Sequence, residues 1–413
     1  MPPIEPYDET GNHERVAKLR DAGVDVWGPE RVYVCADVKL ENIEAGAAIH
    51  HATLAGGDLR IGRGTRIGAS GHALLSDCQI GRDVELGAGS YEGATILDGA
   101  RVRGYAELRP GTLLEEHVDA AHDVAFKNTL LTANVITGSL INYCDVFMSG
   151  GTSRTNHSEV GSGVVHFNFD PRGDKWSSLI GDVRGVLLRS APIFVGGQCG
   201  LVAPVQVDFG AVLAAGSVIR GDVGPERVHF EAAENGVIED FDAEIYTGLK
   251  RKFLATAKVV GNLWALDCWY EQVRLAFADQ DQKPLYQAAR NQLAAHVSER
   301  ARRLIKIIDK LGRSIEKSSQ TGNARLKALH AEHRMLIDQR RQIENLLMTK
   351  PPPPEPPRVF LDAYEAARAD GNHLEAVQEL DDTAASAAES WLLTIAAAPN
   401  VAMRESFDPA NIQ

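Results

Sequence analysis

The stretch that decides the fold is IEAGAAIHHATLAGGDLRIGRGTRIG, residues 43–68. A small or aliphatic residue returns at every sixth position of this stretch, and two later runs keep the same spacing. The positions are Ile43, Ile49, Ala55, Ile61 and Ile67, then Leu74, Ile80 and Leu86, then Ile96, Val102, Leu108 and Leu114. A hexapeptide repeat of this length predicts a β-helix, in which short strands stack coil upon coil.

The repeat has further features that fit stacked coils. Many leading residues are followed four positions later by a second small or apolar residue, and several directly by glycine, as at Ile61 and Ile80. The spacing slips between residues 67 and 74 and between 86 and 96, where we expect corners or small outward loops. It returns in residues 192–223, at Ile193, Leu201, Val207, Val212 and Val218.

Composition narrows the class of protein. The 413 residues carry a formal net charge of −13, so a basic nucleic-acid-binding surface is not expected. No apolar run reaches the roughly 18 residues of a membrane span, and residues 1–16 lack the apolar core of a signal peptide. Five scattered cysteines without a CxxC pair fit a reducing compartment and argue against a structural zinc site. We therefore predict a cytoplasmic protein without a membrane or nucleic-acid partner.

The pattern divides the chain into five segments and places it in the mainly β class. After about residue 225 glycine becomes rare and helix formers dominate. The predicted segments are a lead-in with a short helix (1–31), a parallel β-helix (32–225), a helical region (226–350), a proline-rich linker (351–357), and a C-terminal helix and tail (358–413).

Two heptad segments stand out in the helical region. The first uses Leu293, Val297, Ala301, Leu304, Ile308, Leu311 and Ile315, and the second uses Leu326, Leu329, His333, Leu336, Arg340, Ile343 and Leu347. A polar turn at 318–323 lies between them, so an antiparallel coiled-coil hairpin is predicted. Because residues off the seam are densely charged, we expect this hairpin to project as an arm that can be deleted without unfolding the β-helix.

Polar residues of catalytic type concentrate in residues 152–158 and 165–170. On a β-helix, outward side chains of adjacent coils line a shared groove. His157 or His166 is predicted to deprotonate an acceptor, and Asn168 or a backbone N–H to hold the oxyanion. The predicted substrate-binding residues are Asn142, Tyr143, Arg154, Asn156, Asp170 and Lys175.

Structural explanations compete with each of these assignments. His157 fits a loop cap, His166 a buried histidine beside a strand, and Asn168 a turn residue. Lys175 and Arg172 suit a phosphate or a coenzyme pyrophosphate but also a solvated loop. Histidines on neighbouring coils can bind zinc, as in γ-class carbonic anhydrases, although the His-x4-His spacing of that family is absent near residues 157–166.

The sequence from 160 to 223 resembles the acetyltransferase domain of the bifunctional UDP-N-acetylglucosamine pyrophosphorylase/glucosamine-1-phosphate acetyltransferase family. The motifs that carry the resemblance are VGSG (160–163), NFD (168–170), Lys175, LVAPV (201–205) and LAAG (213–216). The lead-in VAKLRDAGV (16–24) is similar to the linker before that domain, so the resemblance covers roughly residues 14–225.

This resemblance implies a left-handed β-helix, a homotrimer, and active sites at subunit boundaries that use acetyl-CoA. The residues expected to contact the coenzyme are Gly196, Gly197, Ala214, Ala215 and Arg220. Mg²⁺ is kept as a candidate cofactor, and no structural metal is expected. The helical C-terminal half has no counterpart in the family.

The chain also departs from the family. No glycine-rich α/β unit precedes residue 14, so uridylyl transfer is not expected. An ungapped count places Asp145 where the family has its catalytic histidine, and the loop FDPRGDK is one residue longer than in the family.

The resulting prediction is an acyl-CoA-dependent transferase, in particular an acetyltransferase, acting on a sugar phosphate or a nucleotide sugar. One alternative is a non-catalytic nucleotide-sugar-binding or scaffold trimer. A second is a metal-dependent enzyme similar to the γ-carbonic anhydrases.

Assembly provides the first test. We expect a homotrimer, because flat β-helix faces carry apolar residues and the resemblance implies a threefold axis. Light scattering should give about three times the 44.7 kDa mass of the chain. A monomer at micromolar concentration would contradict this expectation.

Overall fold

A computed structural model describes residues 9–231, 242–320, 326, 329–370 and 372–407. Residues 25–229 wind through a three-sided prism of parallel strands, and helices follow. The chain thus folds as the predicted left-handed parallel β-helix with a helical C-terminal region. Part of the predicted polar turn, at 321–323, and the tail at 408–413 lie outside the described residues.

The β-helix has three faces, each a parallel sheet in which every strand pairs with the strand one coil later. The eleven strands of face I are Asp25–Val26, Ala48–Ile49, Arg66–Ile67, Glu85–Leu86, Arg101–Val102, Asp119–Ala120, Ile136–Thr137, Glu159–Val160, Phe194–Val195, Val212–Leu213 and Val228–His229. The ten of face II are Val32–Val34, Ala52–Ala55, Ala73–Ser76, Gly89–Glu92, Ala106–Leu108, Ala125–Lys127, Asn142–Cys144, Val165–Phe167, Gly200–Val202 and Val218–Ile219. The eight of face III are Arg60–Ile61, Gln79–Ile80, Thr95–Ile96, Leu113–Leu114, Leu130–Leu131, Val146–Met148, Ser178–Ile180 and Gln206–Val207. We name each edge after the two faces that the chain joins there.

The leading residues of the repeat point into the prism, with a few corrections. Ile49, Ile61 and Ile67 are fully buried, as expected. Two predicted inward residues, Ala55 and Leu74, are only partly buried. Their strands have four residues, and strict alternation turns Leu54 and Leu75 inward instead. For the same reason Leu213 and Ile219 replace Val212 and Val218 in the core.

The slips in the repeat change the length of a coil. Ile43 pairs with Ile61, eighteen residues on, whereas Ile61 pairs with Ile80, nineteen on. The next coil is shorter, since Ile80 pairs with Ile96 after sixteen residues. Larger outward loops occupy 149–158, 168–177 and 181–193. The inward-facing residues stay in register from coil to coil, because each loop is inserted at an edge between two faces.

Nine helices complete the described structure. They are α1 (Glu9–Asp21), α2 (Leu249–Trp269), α3 (Lys283–Ile308), α4 (Leu311–Gln320), α5 (Leu329–Asp338), α6 (Arg340–Met348), α7 (Arg358–Asp370), α8 (His373–Gln378) and α9 (Asp382–Ser406). Short 3-10 turns lie at Pro29–Arg31, Leu40–Asn42 and Val183–Leu187, and a π-turn at Tyr270–Arg274. No helix within the described ranges is long and apolar enough to cross a membrane.

Helix α1 closes the first coil. The Asn12 side-chain amide donates to the Val32 carbonyl at 3.0 Å and accepts from the Val34 N–H at 2.8 Å. Gly23 follows the helix with a positive φ of 87°, the conformation that favours glycine at a helix end. The Asn12 side chain thus pairs backbone groups that the first coil would otherwise leave unbonded at the end of the β-helix.

Face III is covered by the helices of the same chain. Its outward side chains in the middle coils are Leu113, Leu130, Phe147 and Leu179, and all are buried in a core shared with α2, α3 and α9. The next residue in each strand, such as Leu114 or Leu131, belongs to the separate core inside the prism. These strands are therefore buried on both sides.

Helix α3 runs along the edge between faces II and III and contacts about one coil per helical turn. His296 Nε2 lies 2.6 Å from the Gly111 carbonyl, and Asn128 Nδ2 donates to Glu299 at 2.8 Å. Arg303 then forms an ion pair with Asp145 at 3.0 Å. The helix pitch of about 5.4 Å is close to the roughly 4.8 Å between coils, so this pairing can repeat.

The expectation of a free arm is wrong. The first heptad segment forms α3 and α4, which pack against α6 and α5 respectively, and the coiled-coil geometry of this contact stays a prediction. However, α3 also carries the contacts to the β-helix edge just described. Deleting residues 285–348 would uncover the apolar side chains of face III, so we now expect it to yield an insoluble chain.

A buried carboxylate pair fixes the π-turn to the β-helix. The Tyr270 hydroxyl donates to Glu115 Oε1 at 2.6 Å, and Arg274 is bonded to Glu116. Burial raises the pKa of Glu115 to about 7, against the opposing effect of Arg274.

This raised pKa predicts a pH-dependent stability. The protonated form of Glu115 favours the folded state. Its contribution to the stability is fully present below the ordinary pKa of 4.5 and is lost as the pH rises through the folded-state pKa of about 7. Glu115→Gln imitates the protonated acid and stays uncharged at every pH. The free energy of unfolding of this variant, measured relative to that of wild type, should therefore increase by roughly 1–3 kcal/mol from pH 5 to pH 8. Denaturant unfolding across this range measures the gain. The control Glu14→Gln replaces an exposed glutamate and should show the same pH dependence of stability as wild type. If Glu115→Gln also showed the pH dependence of wild type, the raised pKa of Glu115 would be contradicted.

Candidate functional site

The predicted site residues do not form one groove within the chain. Arg154, Asn156 and His157 lie in the loop 149–158, which leaves face III and enters face I. Asn168, Asp170 and Lys175 lie in the loop 168–177, at the edge between faces II and III. The loop 149–158 thus lies at the edge between faces III and I, so face III and the helices that cover it separate the two sets.

The loop 149–158 is closed by its own hydrogen bonds. Asn156 Nδ2 donates to Thr152 Oγ1 at 2.8 Å, and the Thr152 N–H donates to the Asn156 carbonyl at 2.8 Å. Helix α8 holds it from outside, since Gln378 donates to the Thr152 carbonyl at 2.7 Å. Gly150 is required at its start, because a Cβ there would lie 1.7 Å from the Ala133 carbonyl oxygen.

His157 is the accessible histidine of the predicted pair. Its Nδ1 lies 2.9 Å from the Arg154 carbonyl, which makes Nδ1 the protonated nitrogen of the neutral ring. Its Nε2 lies 3.4 Å from Glu159 Oε2, and 23% of the side chain is exposed. Arg154 reaches back over face I to within 3.8 Å of Asp119. The ring is thus oriented through Nδ1, and its Nε2 lies beside the Glu159 carboxylate at the protein surface.

His166 lies inside the prism. Its Nδ1 is 2.7 Å from the Cys144 carbonyl and its Nε2 is 2.8 Å from Ser178 Oγ, so both nitrogens are occupied. Burial lowers the pKa of His166 to about 4. Strand alternation explains this placement, since His166 occupies the inward position between Val165 and Phe167. His166 therefore has the geometry of a buried structural histidine, and neither ring nitrogen is available to take a proton from a substrate.

The predicted pair on the strand Asn142–Cys144 divides in the same way. Tyr143 is fully buried, with its ring packed between Phe126 and His166, and cannot touch a substrate on the surface. Asn142 is exposed on face II. Only Asn142 therefore remains available to a ligand.

Asn168 belongs to a buried polar cluster. Its Nδ2 donates to Asp145 Oδ2 at 2.6 Å, and Asp145 is also ion-paired with Arg303. Burial alone would raise the pKa of Asp145. The nearby Arg300 and Arg303 and the hydrogen bond from Asn168 outweigh this effect, so the pKa of Asp145 is lowered. Asp145 is thus a fixed anion that attaches α3 to the β-helix.

The loop 168–177 is tied to the helical region. Asp170 lies 3.5 Å from Lys252, and Arg172 donates to the Ile245 carbonyl at 2.7 Å. Asp174 accepts hydrogen bonds from both Tyr246 and Lys310 at 2.9 Å. Lys175 instead points to solvent. Of the predicted residues in this loop, Lys175 is the one free to meet a ligand.

The glycines and alanines predicted to contact a coenzyme lie at the edge between faces I and II. A Cβ on Gly196 would lie 2.5 Å from the Ala215 nitrogen, so stacking of the coils alone requires this glycine. Ala214 is half-buried and Ala215 exposed. Arg220 lies on face II, where it forms an ion pair with Glu231 at 3.1 Å. This edge borders face I and therefore the loop of His157.

Sequence reasoning missed a cavity of about 350 Å³ beside Lys175. Its lining residues are Gly173, Asp174, Lys175, Glu299, Arg302, Arg303, Lys306, Ile307 and Lys310. The basic residues of α3 were visible as a charged run, but the heptad pattern assigned them to a solvent-exposed arm. Elsewhere in the described ranges, no group of three or more His, Cys, Asp or Glu side chains is arranged to hold a metal ion.

Comparison with known proteins supports the β-helix resemblance. The chain is 31% identical over 204 residues to the bifunctional protein GlmU of Nitratidesulfovibrio vulgaris, covering 49% of this chain and 40% of that protein. It is 31% identical over 215 residues to the GlmU of Trichlorobacter lovleyi, covering 51% and 42%. No protein-family model matches the chain.

A third relative agrees, the GlmU of Nitrosospira multiformis, with 31% identity over 179 residues that cover 43% of this chain and 35% of that protein. The chain spans about two fifths of the length of the curated relatives it matches. Together with the stacked parallel coils, these matches fit a left-handed β-helix acetyltransferase domain.

The two histidines should respond differently to substitution. His166→Ala removes the ring that bonds the Cys144 carbonyl and leaves the Ser178 hydroxyl with only its bond from the Val205 N–H, so we expect a loss of roughly 1–3 kcal/mol in the free energy of unfolding. His157→Asn retains a donor for the Arg154 carbonyl and should leave the melting temperature almost unchanged. Thermal unfolding of both variants measures this difference. An unchanged melting temperature for His166→Ala would contradict its structural role.

Proposed function

We propose that the chain is an acyl-CoA-dependent transferase, in particular an acetyltransferase, whose acceptor is a sugar phosphate or a nucleotide sugar. The family resemblance and the similarity to three GlmU proteins support this class of reaction. The observation that carries the proposal is the state of His157. It is a partly exposed imidazole, oriented through Nδ1, with Nε2 beside a carboxylate.

In the proposed reaction, His157 Nε2 takes the proton from the acceptor amine or hydroxyl as that group attacks the thioester carbonyl. The Glu159 carboxylate stabilises the imidazolium that forms. Collapse of the tetrahedral intermediate breaks the carbon–sulfur bond, and the proton passes to the departing thiolate of coenzyme A. Because Asn168 is held by Asp145, a backbone N–H at the edge between faces I and II is the donor we assign to the oxyanion.

The surroundings of His157 suit a coenzyme with a long, flexible arm. Glu159 is in register with Phe194 on the next coil, and Phe194 with Val212 on the one after. Phe194 is 43% exposed, so an apolar strip extends from the histidine along face I. The exposed backbone at Ala215 borders this strip and can approach a pantetheine arm closely.

The proposed assembly is a homotrimer with sites between subunits. Within one chain, His157 and Lys175 lie at different edges of the prism, separated by face III and its covering helices. Because α3 covers the edge between faces II and III, it is the outward loop 168–177 of another subunit, packed against face I, that would bring the two sets together. A site completed in this way needs both partners, which accords with the resemblance described above.

A transfer assay tests the proposed reaction. The protein is incubated with acetyl-CoA and either glucosamine-1-phosphate or an amino-sugar nucleotide, and free thiol is measured. We expect thiol release that requires the acceptor and falls at least roughly a hundredfold in His157→Asn. The control His13→Gln replaces an exposed histidine on α1 and should match wild type. Ligand-induced thermal shifts without thiol release would favour the non-catalytic binding protein instead.

A further inference from the structure

The pairing between α3 and the β-helix skips one helical turn. Successive contacts join residues 296, 299 and 303 of α3 to consecutive coils at Gly111, Asn128 and Asp145. The next contact is made by Lys310 to Asp174, seven residues further along the chain. It falls on the loop 168–177, which bulges outward from its coil. The skipped turn is where the cavity of about 350 Å³ opens.

The walls of this cleft carry more positive than negative charge. Five of its lining residues are basic and two are acidic. Arg303 is paired with Asp145 and Glu299, and Lys310 with Asp174. In the part of the chain that the structure describes, no ion pair engages Lys175, Arg302 or Lys306. Three cations thus face a concave surface on a protein whose net charge is −13.

Two of these cations belong to a repulsive row. Arg302 and Lys306 lie four residues apart on one side of α3, and Lys310 follows after four more residues, just past the end of the helix. Like charges at this spacing destabilise an isolated helix. The negative end of the helix dipole offsets part of the repulsion near Lys306 and Lys310. The helix dipole does not offset the charge of Lys175, because Lys175 lies in the loop 168–177, on the wall of the cleft opposite α3.

We propose that this cleft binds a phosphoanhydride, the diphosphate group of a nucleotide or of coenzyme A. Lys175 approaches the group from the loop, and Arg302 and Lys306 approach it from α3. An Arg and two Lys on two walls can bind several phosphate oxygens at once, and an anion between them would offset the repulsion. The inference rests on the proposed function for its ligand class, since both proposed substrates can carry this group.

Direct binding tests the cleft without requiring turnover. Inorganic pyrophosphate is titrated calorimetrically into wild type, the double variant Arg302→Gln/Lys306→Gln, and Lys175→Gln. We expect measurable binding to wild type and roughly tenfold or greater weakening in both variants. The control Arg334→Gln/Arg341→Gln removes two exposed charges of the same helical pair outside the cleft and should bind like wild type. Circular dichroism confirms that each variant is folded.

Competition identifies the source of the phosphoanhydride. Displacement of pyrophosphate by UDP but not UMP assigns the cleft to a nucleotide diphosphate, and displacement by coenzyme A assigns it to the coenzyme. Absent binding to wild type, equal binding in all variants, or equal weakening in the control would each overturn the proposal. Because binding is measured alone, a protein that binds pyrophosphate but releases no thiol would refute the transferase and leave the cleft standing.

Discussion

The structure depends on covering the outward apolar side chains of face III. Leu113, Leu130, Phe147 and Leu179 point away from the prism and are nonetheless buried. Burying each such side chain contributes about 1.5–3 kcal/mol, so exposing all four would cost on the order of 10 kcal/mol. That is comparable to the whole stability of a typical domain. The helices that cover this face are therefore part of the folded unit.

The match between helix pitch and coil spacing sets the position of α3. One turn of α3 meets about one coil, so Gly111, Asn128 and Asp145 each find a polar partner at the edge. Asp145 illustrates the consequence. Its position in the sequence suggests chemistry, but in the fold its carboxylate is neutralised by α3. The loop 168–177 interrupts this pairing, and the interruption creates a charged cleft in a surface that is otherwise packed.

The chemistry of each histidine follows from its position on the coil. His157 lies in an outward loop and keeps one nitrogen beside Glu159 and solvent. His166 lies on a strand, where alternation turns it inward and both nitrogens are bonded. The two residues are nine apart and look alike in the sequence. Their different exposure and hydrogen bonding result from strand and loop geometry, and no property of histidine itself distinguishes them.

The sequence by itself determined the β-helix, because stacked coils demand an inward aliphatic residue at a fixed interval. It also singled out the polar segments 152–158 and 165–170 as candidates for a functional site. The sixth-residue spacing did not predict that the strands with doubled leucines at 113–114 and 130–131 are buried on both sides. Only the tertiary structure decided that Tyr143 and His166 face inward, since a shift of one residue reverses a strand's faces. It alone placed Arg302 and Lys306 opposite Lys175, because contacts between residues more than a hundred positions apart depend on how α3 packs.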